Sequence, residues 1–346
     1  MPVRVLVVDD SLFMRTLVSH MLNSAPEIQV VDTAKNGTEA MKKIPKTRPD
    51  CITLDLAMPA GGGLSTLKHI MSQYPTPVVV LSAHSKENAD ITIQCLNAGA
   101  VSFVLKPSGE ISLDIDKIKD QLIKEIKAAA KAKVRRIRPR VTRKPKRLKP
   151  TIIGRNHIVI MGASTGGPQA LEAILPSLPF DFPVPILVAQ HMPNVAFTES
   201  LANHLNDASQ LTVKVAEHNE VIQAGTAYLG PGGFNMTLEA GRAADVRICL
   251  SKAEPDRLTP SIDIAMKSAA RIYNENTVGI ILSGIGNDGV DGTRAIKESG
   301  GKAMAQDESS LIFGMPKAVI DAGFADEAVS MADMADAMVE LMAQSA

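Results

Sequence analysis

The sequence predicts an α/β protein built from two doubly wound domains, and three observations predict it. The chain has 346 residues, more than one ordinary domain needs and enough for two that each bury a core. Short apolar runs alternate with helical patterns in both halves, as the βα units of a mostly parallel sheet do. Between the halves lies a stretch that cannot build a core: Lys127 to Lys149 contains 12 Lys or Arg and no Asp or Glu.

In the first half "VRVLVV", "CITLDL", "TPVVVLS" and "VSFVLK" read as strands buried on both faces. Leu17, Val18, Met21 and Leu22 share one helix face, and "KENADITIQCLNAGA" reads as a helix ending at Gly99. The first domain is expected over residues 1–125. Residues 126–150, "KAAAKAKVRRIRPRVTRKPKRLKP" and one flanking residue, are expected to be an extended basic linker, because like charges repel and three prolines block a helix. The chain carries 37 residues of each sign, so what remains outside the basic run holds 25 basic against 37 acidic residues. The folded parts are therefore acidic. A basic run attracts phosphates, so nucleic-acid binding stands as the functional alternative to a solvated tether.

The second domain is expected over residues 151–346. "IVIMGASTGGPQAL" runs a strand into a glycine-rich turn and a helix opened by Pro168, with Leu171, Ile174, Leu175 and Leu178 on one face. "PVPILVAQHMP" and "TVGIILSG" read as further buried strands, and "VSMADMADAMVELMAQ" as a last helix. No run of 18 apolar residues and no charged-then-apolar leader appears, so a cytoplasmic protein without membrane insertion is expected. Cys51, Cys95 and Cys249 form no C-x-x-C pair and read as small buried residues, not as a zinc site or disulfide framework.

Ligands of such sheets sit beyond the carboxyl ends of the strands. In the first domain those ends carry Asp9, Asp10, Asp55, Ser82 and Lys106. Three carboxylates brought together repel unless a hard cation such as Mg2+ bridges them, so a metal site is expected there.

In the second domain "GASTG" satisfies the nucleophile-elbow pattern G-x-S-x-G in its strand-turn-helix context, with Ser164 as the candidate nucleophile. A phosphate loop would need a Lys after the last glycine, and none follows. Gly284, Gly286 and Gly289 imitate a dinucleotide fingerprint, but late in the domain and with only Asp307 as a passable acidic partner. A serine nucleophile needs a base. His191 ends its strand on the rim where Ser164 should lie, whereas His157 precedes a strand and His204 and His218 fall in polar segments. The base needs a carboxylate to fix its tautomer, and Asp288 follows a strand at the same rim, with Asp291 second. As a structural alternative, Asp288 could be a helix N-cap. The chain order Ser, His, Asp differs from that of α/β-hydrolases, so a different α/β scaffold is expected.

"VLVVDDS", "LDLAMP", "LSAHS" and "FVLKPS" closely resemble the response-regulator receiver domain, a flavodoxin-like fold, over residues 1 to 125. The resemblance implies that Asp55 accepts a phosphoryl group from a histidine kinase. It also implies that Asp9, Asp10, Asp55 and the carbonyl of Ala57 hold Mg2+, that Lys106 pairs with the acyl phosphate, and that Ser82 and Phe103 act as the switch. Ala57 and the run "AGGG" at 60 to 63 depart from the pattern seen in many receivers.

"GASTGGPQAL", "VAQHMP", "YLGPGGFNM", "LTPSID", "GIGNDG" and "AQDESSLIFGMPKAVIDAG" resemble the chemotaxis protein-glutamate methylesterase, CheB type, over nearly all of 151 to 346. That resemblance implies attack by Ser164 on glutamate γ-methyl esters of chemoreceptor cytoplasmic domains, with His191 as general base, Asp288 orienting it, and release of methanol. It further implies deamidation of receptor glutamines by the same chemistry, and oxyanion donors from backbone near Thr165, Gly166 and Ile285. The chemotaxis kinase is the implied phosphodonor, and the receiver is expected to cover the esterase rim until Asp55 is phosphorylated. A monomer that needs no cofactor for the ester reaction and binds no nucleic acid is expected. Ile285 and Asn235 replace the family's usual Met and His, and Asn235 is not expected to be catalytic. Two competing functions are a receiver joined to a nucleic-acid-binding output and a serine esterase of small esters.

Overall fold

The computed structural model describes residues 1–58, 62–83, 85–106, 115–132, 134, 157–241, 245–254 and 257–344. Most of the expected basic linker, its boundary with the second domain, and Gly61 lie outside those residues. The chain forms two compact units, described separately below.

In the first unit β1 (Val3–Val8), α1 (Leu12–Asn23), β2 (Ile28–Ala34), α2 (Gly37–Thr47), β3 (Cys51–Asp55), α3 (Gly62–Gln73), β4 (Val78–Ser82), α4 (Lys86–Asn97), β5 (Ser102–Leu105) and α5 (Ile115–Ala129) alternate. The strands pair in parallel in the order β2-β1-β3-β4-β5, which is the flavodoxin-like order. Val5 to Val8 and Val78 to Val80 are fully buried, as a parallel sheet covered on both faces requires. Helix starts are set by side-chain caps: Ser11 accepts from Met14 N–H, Asn36 from Glu39 N–H and Ser85 from Asn88 N–H. Gly99, with φ +100°, turns the chain out of α4.

Two differences from expectation stand out here. Strand β2, "IQVVDTA", has mixed burial because it is the sheet edge, and its weak apolar signal hid it. The expected domain end at residue 125 falls inside α5, which continues to Ala129. Ile126 and Ala129 are buried, so the helix's apolar stripe outlasts the onset of positive charge.

The second unit opens with β6 (Ile158–Ala163), α6 (Gly167–Ile174), β7 (Ile186–Gln190), α7 (Val195–Ala208), β8 (Thr212–Val215) and β9 (Thr226–Leu229). An antiparallel hairpin follows, β10 (Phe234–Ala240) and β11 (Val246–Lys252). Then come α8 (Ile262–Tyr273), β12 (Thr277–Ile281), α9 (Val290–Glu298), β13 (Lys302–Gln306), α10 (Met315–Asp321), β14 (Glu327–Val329) and α11 (Met334–Gln344). Seven strands pair in parallel in the order β14-β13-β12-β6-β7-β9-β8. Helix α6 packs on α7, while α8 packs on α9. The order reverses at β6, so the crevice beyond β6 and β12 is the topological switch point where α/β sheets bind ligands. Helix α6 is shorter than its apolar pattern suggests: Pro176 diverts the chain into a 3-10 turn after Ile174, although Leu175 and Leu178 stay buried. No described helix is long and apolar enough to cross a membrane.

Candidate functional site

Three adjacent strands deliver the candidate residues to one rim. Ser164 follows β6, His191 follows β7 on one side, and Asp288 follows β12 on the other. His191 Nδ1 lies 3.1 Å from Ser164 Oγ, and Nε2 lies 2.9 Å from Asp288 Oδ2. The imidazole is 5 % exposed, so water competes little for either contact. With an ionised Asp288, the tautomer that satisfies both contacts carries its proton on Nε2 and leaves the Nδ1 lone pair facing the serine hydroxyl.

Asp288 is held by more than the imidazole. Its Oδ2 also accepts from Ile262 N–H at 2.9 Å and its Oδ1 from Asp263 N–H at 3.0 Å, at the first turn of α8. Burial works to raise this carboxyl, but the bonds from His191, Ile262 and Asp263 and the His191 charge outweigh it and keep the pKa below its ordinary value. Asp263 returns the favour to α9: its Oδ1 accepts from Gly289 N–H at 3.0 Å and Gly292 N–H at 2.6 Å. Its own pKa is raised, first by burial, and then by the Asp288 charge, against the N–H groups of Gly292 and Gly289. Each of the two helices thus has its N-terminus capped by a carboxylate belonging to the other segment. Asp288 does satisfy helix N-terminal N–H groups, but those of α8, whose N-cap residue is Ser261, and not those of the helix that follows it.

The turn around Ser164 is closely fitted. Ser164 N–H donates to the Ser283 carbonyl at 3.0 Å. The Ser283 hydroxyl, 1 % exposed, donates to the Thr165 carbonyl at 2.7 Å and accepts from Ile312 N–H at 2.9 Å. Gly166 has φ +79°, and a Cβ there would also collide with the Ser283 hydroxyl. Among the described residues the N–H groups of Gly166 and Ile285 have no acceptor. Gly284 approaches so closely that a Cβ on it would come within 2.9 Å of Ser164 Cβ. In "SGIGNDG" Gly284 and Gly289 therefore serve contact between segments, whereas Gly286, with open space around it, supplies a φ of +106°.

The remaining candidates fall elsewhere. Asp291 pairs with Arg294 at 2.8 Å on α9, His204 lies 3.4 Å from Glu172, and His218 accepts from Leu250 N–H. Asn235 accepts from the N–H of Ser261, the α8 N-cap, at 3.1 Å, which is a structural contact. Gln190, Asp263 and Ser283 were not singled out from the sequence. Their signal was a polar residue closing or following an apolar strand, or opening a helix.

In the first unit Asp9, Asp55 and Lys106 meet at the ends of β1, β3 and β5. Lys106 Nζ lies 2.8 Å from Asp9 Oδ2 and 2.8 Å from Asp55 Oδ1, with both carboxylates buried. Burial, more than the Asp55 charge, lifts the Asp9 carboxyl above its ordinary value despite Lys106. Burial pulls Lys106 down, but Asp55 and Asp9 overcome it and hold the ammonium above its ordinary value. Oxygens of Asp9, Asp10 and Asp55 lie within 4.8 Å of one another. Such an all-oxygen, anionic donor set fits Mg2+, and this acidic site is the one a receiver offers the ion. Arg15 donates to the Asp9 and Asp10 carbonyls at 2.7 and 3.0 Å and fixes the loop that carries the acid pair. Asp55 Oδ1 accepts from Ala57 N–H at 3.0 Å. Ser82 is buried, with its hydroxyl 2.8 Å from Thr92 Oγ1 on α4, and Phe103 is half-buried on β5 opposite Val80.

Fold and site together define a class: a receiver domain followed by a parallel α/β domain with serine, histidine and aspartate aligned at its switch point. The response regulator receiver family matches residues 5–116, and the CheB methylesterase family matches residues 159–338. A Pyrococcus horikoshii protein-glutamate methylesterase/protein-glutamine glutaminase is 42% identical over 98% of this chain and 93% of its own. A Geobacillus kaustophilus protein of the same name is 42% identical over 99% of both chains. The crystal structure of the Thermotoga maritima CheB methylesterase catalytic domain covers 54% of this chain and 98% of its own, at 41% identity and TM-score 0.52. This chain belongs to the CheB methylesterase family, with a response-regulator receiver domain in front.

Proposed function

We propose that the protein is a protein-glutamate methylesterase and protein-glutamine glutaminase, acting in the cytoplasm on methylated chemoreceptor cytoplasmic domains to give chemotactic adaptation. The observation that carries this reading is the Ser164–His191–Asp288 alignment, 3.1 and 2.9 Å end to end, in a chain of this family. Ser164 Oγ attacks the γ-carbonyl of a glutamate methyl ester while its proton passes to His191 Nδ1. Asp288 accepts from Nε2 and stabilises the imidazolium. The N–H groups of Gly166 and Ile285, with that of Thr165 beside them, are the candidate donors for the developing oxyanion. As the tetrahedral species collapses, the C–OMe bond breaks and His191 returns the proton to give methanol. Water, deprotonated by His191, then cleaves the acyl-serine, leaving a glutamate carboxylate and the original serine. For a glutamine the leaving group is ammonia.

In the receiver Asp55 is the proposed phosphoryl acceptor, taking the group from the chemotaxis histidine kinase. Asp9, Asp10, Asp55 and the Ala57 carbonyl would hold Mg2+, which when bound neutralises charge on the phosphoryl oxygens. Lys106 would pair with the acyl phosphate in place of its present carboxylate partners. Ser82, followed by Phe103, would shift toward it and bias the receiver away from an inhibiting arrangement.

Methanol release from methylated receptor membranes tests the reading. Ser164→Ala should abolish it, and retained turnover would end the nucleophile assignment. Acetyl phosphate with Mg2+ should raise the rate in the wild type and not in Asp55→Asn. An unchanged rate in both would rule out regulation through Asp55.

A further inference from the structure

The residue immediately before the candidate base closes an otherwise apolar strand, "ILVAQ", with a buried amide. Gln190 is 3 % exposed. Its Nε2 donates to the carbonyl oxygens of Ser164 and His191, each at 3.0 Å. An amide nitrogen carries two hydrogens, and here both go to the main chain of the two residues between which the reaction's proton must move. Its Oε1 has no protein partner and fills the space that a Cβ at Gly167 would need.

The sheet itself does not call for this side chain. Strand β7 is already paired along β6 from Ile186 to Gln190, and His191 N–H continues the ladder to the Ala163 carbonyl at 3.0 Å. A methionine would fill the same volume without bringing an unpaired Oε1 into the interior, an arrangement native structures rarely tolerate. What Gln190 adds is a tie across two strand ends: it fixes how far the serine turn sits from the histidine. Gly167 is the accommodation that lets it in.

We infer that Gln190 is a positioning residue of the esterase reaction, an amide clamp that holds the backbones of Ser164 and His191 in register. The inference rests on the proposed nucleophile and base. It acts through them: with the clamp in place Oγ and Nδ1 stay at proton-transfer distance, and without it the glycine-rich turn can relax away from the strand end. A displacement of about 1 Å between reacting groups costs on the order of 10²-fold in rate.

The test uses the full chain and methylated receptor membranes, with kcat and KM measured separately and folding followed by near-ultraviolet circular dichroism. Gln190→Met, similar in shape but without donors, should lower kcat by roughly 10- to 100-fold and leave KM unchanged. Gln190→Leu, also apolar and without donors but smaller, should be at least as slow and serves if the methionine variant does not fold. Ser268→Ala is the control for a merely structural loss. That hydroxyl, 1 % exposed toward the middle of α8, accepts from Leu238 N–H and donates to the Ala265 carbonyl. Its removal should lower the unfolding temperature and keep kcat. A Gln190→Met enzyme with wild-type kcat, or with only KM changed, would overturn the clamp. Ser164→Ala separates the two ideas: if it is inactive while Gln190→Met is fully active, only the clamp falls, and if it stays active the nucleophile falls and the clamp with it.

Discussion

Asp288→Asn is a sharper probe of the proposed triad than removal of any member. Oδ2 of Asp288 meets His191 Nε2 and Ile262 N–H, while Oδ1 meets Asp263 N–H, all at 2.9 to 3.0 Å. Asparagine has one accepting and one donating end. With its oxygen in the Oδ2 place it opposes only Asp263 N–H and keeps the proton on Nε2. With its nitrogen there it opposes only Ile262 N–H and inverts the tautomer. The two helix N–H groups therefore divide evenly, and the productive orientation stays populated at roughly half, a loss of about twofold. Losing the charge costs more. A hydrogen bond to a charged group is worth about 1.5–3 kcal/mol against about 0.5–1.5 for a neutral one. The difference of about 1–2 kcal/mol is roughly 5- to 30-fold in rate. Asp288→Asn should thus lose roughly 10- to 60-fold in kcat for methanol release, and about 1–3 kcal/mol of stability for the one opposed N–H. In serine proteases the corresponding change forces the wrong tautomer and costs about 10⁴. A loss of that size here, in a folded variant, would show that the α8 N-terminus does not share the side chain evenly.

Gly167→Ala should force Gln190 out of its place and reduce kcat alongside a stability loss of about 1–3 kcal/mol, as overpacking does. Wild-type kcat in a crystal structure with Gln190 unmoved would contradict the fit. Lys106→Met leaves two buried carboxylates facing each other, and the receiver transition in calorimetry should fall by about 3–5 kcal/mol. An unchanged transition would mean the pair is solvated. Asp9 is a raised acid, so ionised Asp9 costs folding stability above its folded pKa and the cost is relieved as pH falls through that value. Asp9→Asn should accordingly unfold at a higher temperature at pH 7, with the advantage shrinking on acidification from the folded value toward the ordinary 3.8. A growing advantage would give the wrong sign.

Much of the architecture is legible because parallel strands buried on both faces are continuous apolar runs. Strand β6 and strand β12 are such runs, and the rule that function gathers at their carboxyl ends is enough to single out Ser164, His191 and Asp288. Edge and hairpin strands are not such runs: β2, β10 and β11 alternate burial with exposure and merge with polar loops. The missed site residues fail for another reason. Gln190 and Asp263 matter through which backbone N–H and carbonyl groups they reach, and the distant partners, Ser164 for the one and Gly289 for the other, lie 26 residues away in sequence and leave no local pattern. Ser283 is hidden likewise, as a polar residue among glycines whose hydroxyl serves a turn 118 residues earlier.

The register of β7 against β6 has a consequence for length variation. Ala163 faces Gln190, and the next residue reaches the rim. Side chains alternate along a strand, so deleting a single residue inside Ile186–Gln190 would send the imidazole of His191 into the interior and the thioether of Met192 into the reaction. Insertions between Ser177 and Pro185, ahead of the paired segment, leave that alternation untouched. A chain that keeps this rim can therefore change length ahead of the paired segment so long as Leu178, Phe182 and Val184 stay buried, but it must cross β7 in the same number of steps.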